Sequence, residues 1–146
     1  MGTTCTALSI AGDRLYFAHI GDSRLYLVRG PQISRLTKDH SYVGRLVDSG
    51  ILSPEEAEAH PQRHILTAAL GAGSELIPDF PENPIGLQQE DTLVLCTDGL
   101  WSMVKESELH DIATEKPAMK ACRELIDLAR ERGGPDNITV QVIHLT

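Results

Sequence analysis

The stretch DTLVLCTDGLW, residues 91–101, constrains the fold of this chain more than any other. Leu93-Val94-Leu95-Cys96 is a continuous apolar run of strand length, closed by Thr97-Asp98-Gly99. A buried strand that ends in a carboxylate poses a physical problem. An unpaired buried carboxylate is costly, so such a group is hydrogen-bonded, ion-paired or bound to a metal. Two readings are open at this point. Asp98-Gly99 is an Asx turn whose side chain caps the following amides, or Asp98 is a ligand.

The rest of the chain supplies partners for that strand. Residues 3–10 (TTCTALSI) and 14–20 (RLYFAHI) are rich in β-formers and separated by the turn residues of AGD. RLYLVR and QISRLT follow, split by Gly30-Pro31, and NITVQVIHL at 137–145 is a sixth strand candidate. Between them lie helices. Ser53-Pro54-Glu55-Glu56 carries an N-cap serine, a proline at the first helical position and a capping-box glutamate. SYVGRLVDSG before it has helical spacing at Val43, Leu46 and Val47. A helix over about 105–113 precedes a longer one from Pro117 to Arg132, with Met119, Cys122, Ile126 and Ala129 expected on its apolar face and Gly133 as its stop. Strands, then helices, then a strand again predict an α+β fold.

A length of 146 residues suits one domain, spanning 1–146, and 41% hydrophobic with 23% charged residues is ordinary for a folded soluble chain. No apolar run is long enough for a membrane helix, and Met1-Gly2-Thr3-Thr4 has no basic-then-apolar leader pattern, so a cytoplasmic protein without a membrane partner is expected. Cys5, Cys96 and Cys122 form no Cys-x-x-Cys pair and are expected as small core residues. The net charge of −8 argues against nucleic acid as a partner and leaves two explanations, solubility or carboxylates gathered for hard cations.

Three aspartates stand at strand ends: Asp22 in HIGDSR, Asp98 in CTDGLW and Asp136 in GGPDNITV. If the strands share a sandwich they can meet at one rim, and carboxylates without histidine or cysteine suit Mg²⁺ or Mn²⁺ rather than zinc. His40, His60 and His64 complete no zinc set at ligand spacing, and Pro61 breaks the helical register of the latter two. Ser23 and Ser102 have no histidine–carboxylate partners in recognisable order, which speaks against a serine nucleophile.

The order of motifs goes further. GTT, HIGDSR, LTKDHS, HPQRHILTAALG, LVLCTDGLW and GGPDNITV follow one another with ordinary gaps. This series resembles the metal-dependent serine/threonine protein phosphatases, the PPM or type 2C family, in its bacterial branch, over residues 2–145. The resemblance implies a layered α-β-β-α sandwich of antiparallel sheets flanked by helices. It also implies that Asp98 and Asp136 are ligands of one catalytic Mn²⁺ or Mg²⁺, and that Asp22 joins Asp98 at a third, weaker ion. Two ions in such a site activate a water for attack on phosphoserine or phosphothreonine. Phosphorylated proteins and a cognate Ser/Thr kinase are the implied partners. Residues 41–64 match the family's flap beside the active site, and Trp101 is expected to pack behind the metal loop.

The resemblance also implies that this chain is the C-terminal part of the catalytic domain. The family's phosphate-gripping arginine, its Asn-Glu-Asp segment and its Asp-Gly-Met-Gly-Gly motif have no counterpart here. The chain alone is therefore expected to be inactive or nearly so, and uncovered sheet surface is expected to favour a homo-oligomer or the missing half. The alternative is a non-catalytic, phosphatase-like binding or regulatory module.

Overall fold

The structure, a computed structural model, describes residues 1–73 and 77–146. Strands β1 (Cys5–Ala11) and β2 (Arg14–Ile20) form a hairpin, turned at Gly12 in the left-handed region (φ 61°). Strands β3 (Arg24–Arg29) and β4 (Gln32–Arg35) form a second hairpin. Helices α1 (Tyr42–Asp48) and α2 (Pro54–Ala59) occupy the flap-like segment. After a two-residue strand β5 (Ile85–Gly86), the apolar run Leu93-Val94-Leu95-Cys96 lies in β6 (Thr92–Cys96). One turn of helix, α3 (Asp98–Trp101), then α4 (Glu106–Glu115) and α5 (Ala118–Glu131) lead to β7 (Val140–His144).

Two antiparallel sheets result, β1-β2-β5 and β4-β3-β6-β7. Leu15 and Phe17 of β2 meet Leu25 and Leu27 of β3 and Leu93 of β6 in one apolar layer between the sheets. Tyr26, Val94 and Cys96 face the other way, onto Leu100, Leu109, Ala113, Leu125 and Ala129 of the helices. Buried on both faces, β3 and β6 read as near-continuous apolar runs, whereas β1 alternates because one of its faces is open. The α+β sandwich expected from the sequence is present.

Several local expectations change. Cys5 is exposed, because it lies on the open face of β1; Cys96 is buried and Cys122 half-buried. The stripe that α5 buries is Ala121, Leu125 and Ala129, not one through Met119, which is exposed. Two alanines at eight-residue spacing let the helix axis approach the sheet, and Cys122 and Ile126 flank the contact. The strand in QISRLT ends at Arg35; the Leu36 N–H still donates to the Leu25 carbonyl at 2.8 Å, but the Thr37 hydroxyl turns in to accept the Leu25 N–H at 3.1 Å. The capping box at Ser53 and Glu56 forms as its sequence predicts, with bonds of 2.7 and 3.1 Å.

Candidate metal site and its frame

The carboxylates are placed by backbone stitching between β6 and the segment that enters β7. Thr97 N–H donates to the Thr139 carbonyl at 3.1 Å, and Thr139 N–H donates to Thr97 Oγ1 at 3.0 Å. A Cβ on Gly99 would run into the Asn137 carbonyl oxygen, so only glycine lets the two loops close. This explains the glycine after Asp98: it is required for close approach. The Asx turn does not form as such: Asp98 Oδ1 accepts only the adjacent Gly99 N–H at 3.0 Å, the Leu100 N–H two residues on donates to the Thr97 carbonyl at 3.0 Å, and Asp98 is the first residue of α3. Asp136, exposed, accepts the Asn137 N–H at 2.7 Å.

Asp22 sits in the β2–β3 connection. Gly21 before it has φ 111°, and its side-chain position is filled by Thr4, the residue before β1, so the turn cannot carry another residue without displacing that chain. Partial burial pushes the Asp22 carboxyl up to about 6, and the charges of Asp98 and Asp39 add to that push. Burial also raises Asp98, with the charge of Asp136 next in size, offset in part by its bond to Gly99 N–H and by His64. Asp22, Asp98 and Asp136 thus form a row in which each carboxylate feels the next.

Such a row suits a cation in kind. The donors are hard carboxylate oxygens, and their mutual repulsion is what a divalent ion relieves. It is short in number, because no three histidine, cysteine, aspartate or glutamate side chains gather into a metal-holding group among the described residues. His40 and His60 have local bonding roles. His40 Nδ1 accepts the Gly21 N–H at 3.2 Å and its Nε2 meets Asp79 at 2.8 Å, while His60 Nδ1 accepts the Gln62 N–H at 3.1 Å.

The frame around the row uses residues whose roles the sequence did not disclose. Arg24 forks onto Asp39, with Nε to Oδ1 at 3.1 Å and Nη2 to Oδ2 at 2.7 Å, and its Nη1 reaches the Tyr26 hydroxyl at 3.3 Å. Its guanidinium lies 3.6 Å from the centre of the Trp101 ring. The Trp101 indole N–H donates to the Asp22 carbonyl at 2.9 Å. Beneath them His19, fully buried, accepts from Thr6 at 2.8 Å and donates to the Lys38 carbonyl at 2.9 Å, and burial lowers its pKa and keeps it neutral. HIGDSR and LTKDHS contain these residues, but residue type alone does not say which of them touch. The contacts cross between the two motifs.

A cavity of about 110 Å³ opens beside Asp22, with Trp101 and Arg24 on one side and Val43, Val47 and Ala57 of the flap helices on the other. Lys38 and Arg63 also line it, and neither is in an ion pair among the described residues.

The chain is similar to known proteins over nearly its whole length. The profile of the family "Protein phosphatase 2C" matches residues 1–44 and 76–138. The protein phosphatase PhpP of Streptococcus pneumoniae is 44% identical over 99% of this chain and 58% of its own length. The chain therefore spans less than two thirds of that relative. The serine/threonine phosphatase of S. agalactiae superposes with a TM-score of 0.94 at 41% identity, covering 100% of this chain and 60% of that one. The catalytic domain of the serine/threonine protein phosphatase PstP, solved in complex with two manganese ions, superposes with a TM-score of 0.85 at 39% identity over 97% of this chain and 58% of that one.

Proposed function

The chain belongs to the protein phosphatase 2C family, and from that premise we propose that it contributes Asp98, Asp136 and Asp22 to a Mn²⁺- or Mg²⁺-dependent hydrolysis of phosphoserine and phosphothreonine in proteins. The observation that carries this reading is the stitching of 97–99 to 137–139, which sets two carboxylates from distant parts of the chain in one another's field. The manganese in the PstP structure supports the choice of ion.

Bound there, a pair of divalent ions supplies charge neutralisation at the phosphoryl oxygens and an acidified water. The protein's part is geometric. Asp98, at the start of α3 just after β6, and Asp136, in the loop before β7, would hold one ion, and Asp22 with Asp98 would hold a further one more weakly. Gly99 and Gly21 fix the distances between the loops, which in-line attack tolerates only within a fraction of an ångström. Lys38 and Arg63 beside the cavity supply charge of the sign a phosphorylated segment needs. The substrates on this reading are phosphoproteins of a Ser/Thr kinase pathway.

Three carboxylates do not complete the oxygen shell of a hard cation, so the chain alone is expected to turn over substrate negligibly. The unpaired outer edge of β1, in a sheet ordered β1-β2-β5 among the described residues, suits strand addition by the part of the relatives that this chain does not span, or by a second copy. The test is Mn²⁺-dependent hydrolysis of a phosphothreonine peptide, by the chain alone and after mixing with the unmatched N-terminal portion of PhpP. Recovery on mixing, abolished by Asp98→Ala, is the expected result. No turnover in any mixture would leave a non-catalytic binding module as the better description.

A further inference from the structure

We propose that Arg24 is a positioning residue that locks the base of the flap to the Asp22 and Asp98 loops, so that the three move as one body. The inference rests on the phosphatase reading in naming Asp22 and Asp98 as ligands. The coupling itself is a property of this chain without metal or substrate.

Arg24 uses every side of its guanidinium. Its forked edge is spent on Asp39, its remaining nitrogen on Tyr26, and its flat face on Trp101. Only a planar, delocalised cation can do all three together; a lysine ammonium keeps the charge and loses the fork and the stack. On one side the clamp reaches the site. Trp101 is one helical turn beyond Asp98 in α3, and its N–H holds the carbonyl of Asp22. On the other side it reaches the flap. The Asp39 carbonyl lies so close to Gly44 of α1 that a Cβ there would approach it to 2.5 Å, and Ser41, two residues on, caps that helix by accepting the Gly44 N–H at 3.0 Å. His40 adds two bonds to the same seam, from its N–H to the Gly21 carbonyl at 2.7 Å and from the Gly21 N–H to its ring at 3.2 Å.

The consequence is that Asp22 is gripped on both sides by the segment that carries the flap. Gly21 is bound to His40 and Arg24 to Asp39, so residues 39–41 cannot shift without dragging the carboxylate between them. A flap displaced by a substrate would therefore alter the Asp22 and Asp98 positions through contacts that touch no phosphate.

The same strand provides the control. Arg29, at the other end of β3, makes an equivalent fork onto Asp91 that touches neither the flap nor α3. Amide hydrogen exchange of the metal-free chain is compared for the wild type, Arg24→Lys and Arg29→Lys. Arg24→Lys is expected to speed exchange about tenfold in both 42–48 and 98–104, while Arg29→Lys changes either by less than about twofold. Trp101→Phe keeps a ring face for Arg24 and removes only the indole donor, so it should loosen 98–104 and leave 42–48 protected. If Arg24→Lys does not fold, Asp39→Asn is read by the same criterion. Loosening by Arg24→Lys of one segment without the other or of neither, loosening of both by Arg29→Lys, or loosening of 42–48 by Trp101→Phe overturns the proposal. Because no turnover is measured, failure of the phosphatase assay and failure of the clamp are separate results.

Discussion

The two ends of β3 carry the same device for opposite purposes. At one end Arg29 forks onto Asp91 with bonds of 2.8 and 2.6 Å; at the other Arg24 forks onto Asp39 at 3.1 and 2.7 Å. Asp91 is 1% exposed, and it also accepts the Gln88 N–H at 2.7 Å, so each of its oxygens is satisfied. The bond from Arg29 is the main reason its carboxyl lies below the usual range. The carboxylates near the Arg24 end are raised instead, since Asp22 and Asp98 are desolvated beside further negative charge. One end is built for stability. The other holds like charges together at some cost to stability, a repulsion that the proposed cation would relieve.

The largest effect that separates the ends is on stability. Asp91→Ala removes the fork and strands the Gln88 N–H, and should cost about 3 kcal/mol in urea unfolding, the low end for a broken buried pair because Arg29 can return to water. Gly99→Ala should cost about 2 kcal/mol, the typical penalty for overpacking, by forcing the Asn137 carbonyl away. It should also weaken metal binding, which Asp91→Ala leaves unchanged among molecules that fold. Asp98→Asn works in the opposite direction. It keeps the Oδ1 acceptor for Gly99 and deletes one repelling charge, so the metal-free chain should gain about half a kcal/mol in the same unfolding experiment. A loss of stability there would mean that Asp98 is an ordinary turn cap.

Acidification gives the finest contrast, because the two ends respond with opposite sign. Asp22 has a raised carboxyl in the folded chain, so its contribution is full below the ordinary carboxylate range and is lost as pH rises through about 6. Asp91 has a lowered one, so its contribution is present above that range and is lost as pH falls through its depressed value. Carbon-detected titration of the two carboxyls should find Asp22 with a midpoint near 6 and Asp91 below 3.8, the ordinary value. Coincident midpoints would erase the distinction between the ends.

How far the sequence discloses this depends on the range of the interaction. Strand runs, the Ser53 capping box and the Gly12 turn are local, and their residues announce them. The buried face of α5 is displaced from the expected one because small alanines, not the bulkier Met119, decide how near a helix can lie to a sheet. Asp22, Asp98 and Asp136 stand out as carboxylates stranded at strand ends. That Asp98 and Asp136 are neighbours depends on Gly99 fitting under Asn137, 38 residues away along the chain, and no periodicity encodes it. The Arg24–Asp39–Trp101 seam was hidden for the same reason. Its members lie in HIGDSR, LTKDHS and LVLCTDGLW, but the pairing is tertiary.

The central claim, that the Asp98 end of the sheet is a cation site, is tested most directly by paramagnetic broadening with substoichiometric Mn²⁺. Amide resonances of 21–24, 97–101 and 136–138 should broaden first, with 86–91 unaffected, and Asp98→Asn should remove the effect. Broadening spread evenly over the acidic surface, or unchanged by that substitution, would contradict the account.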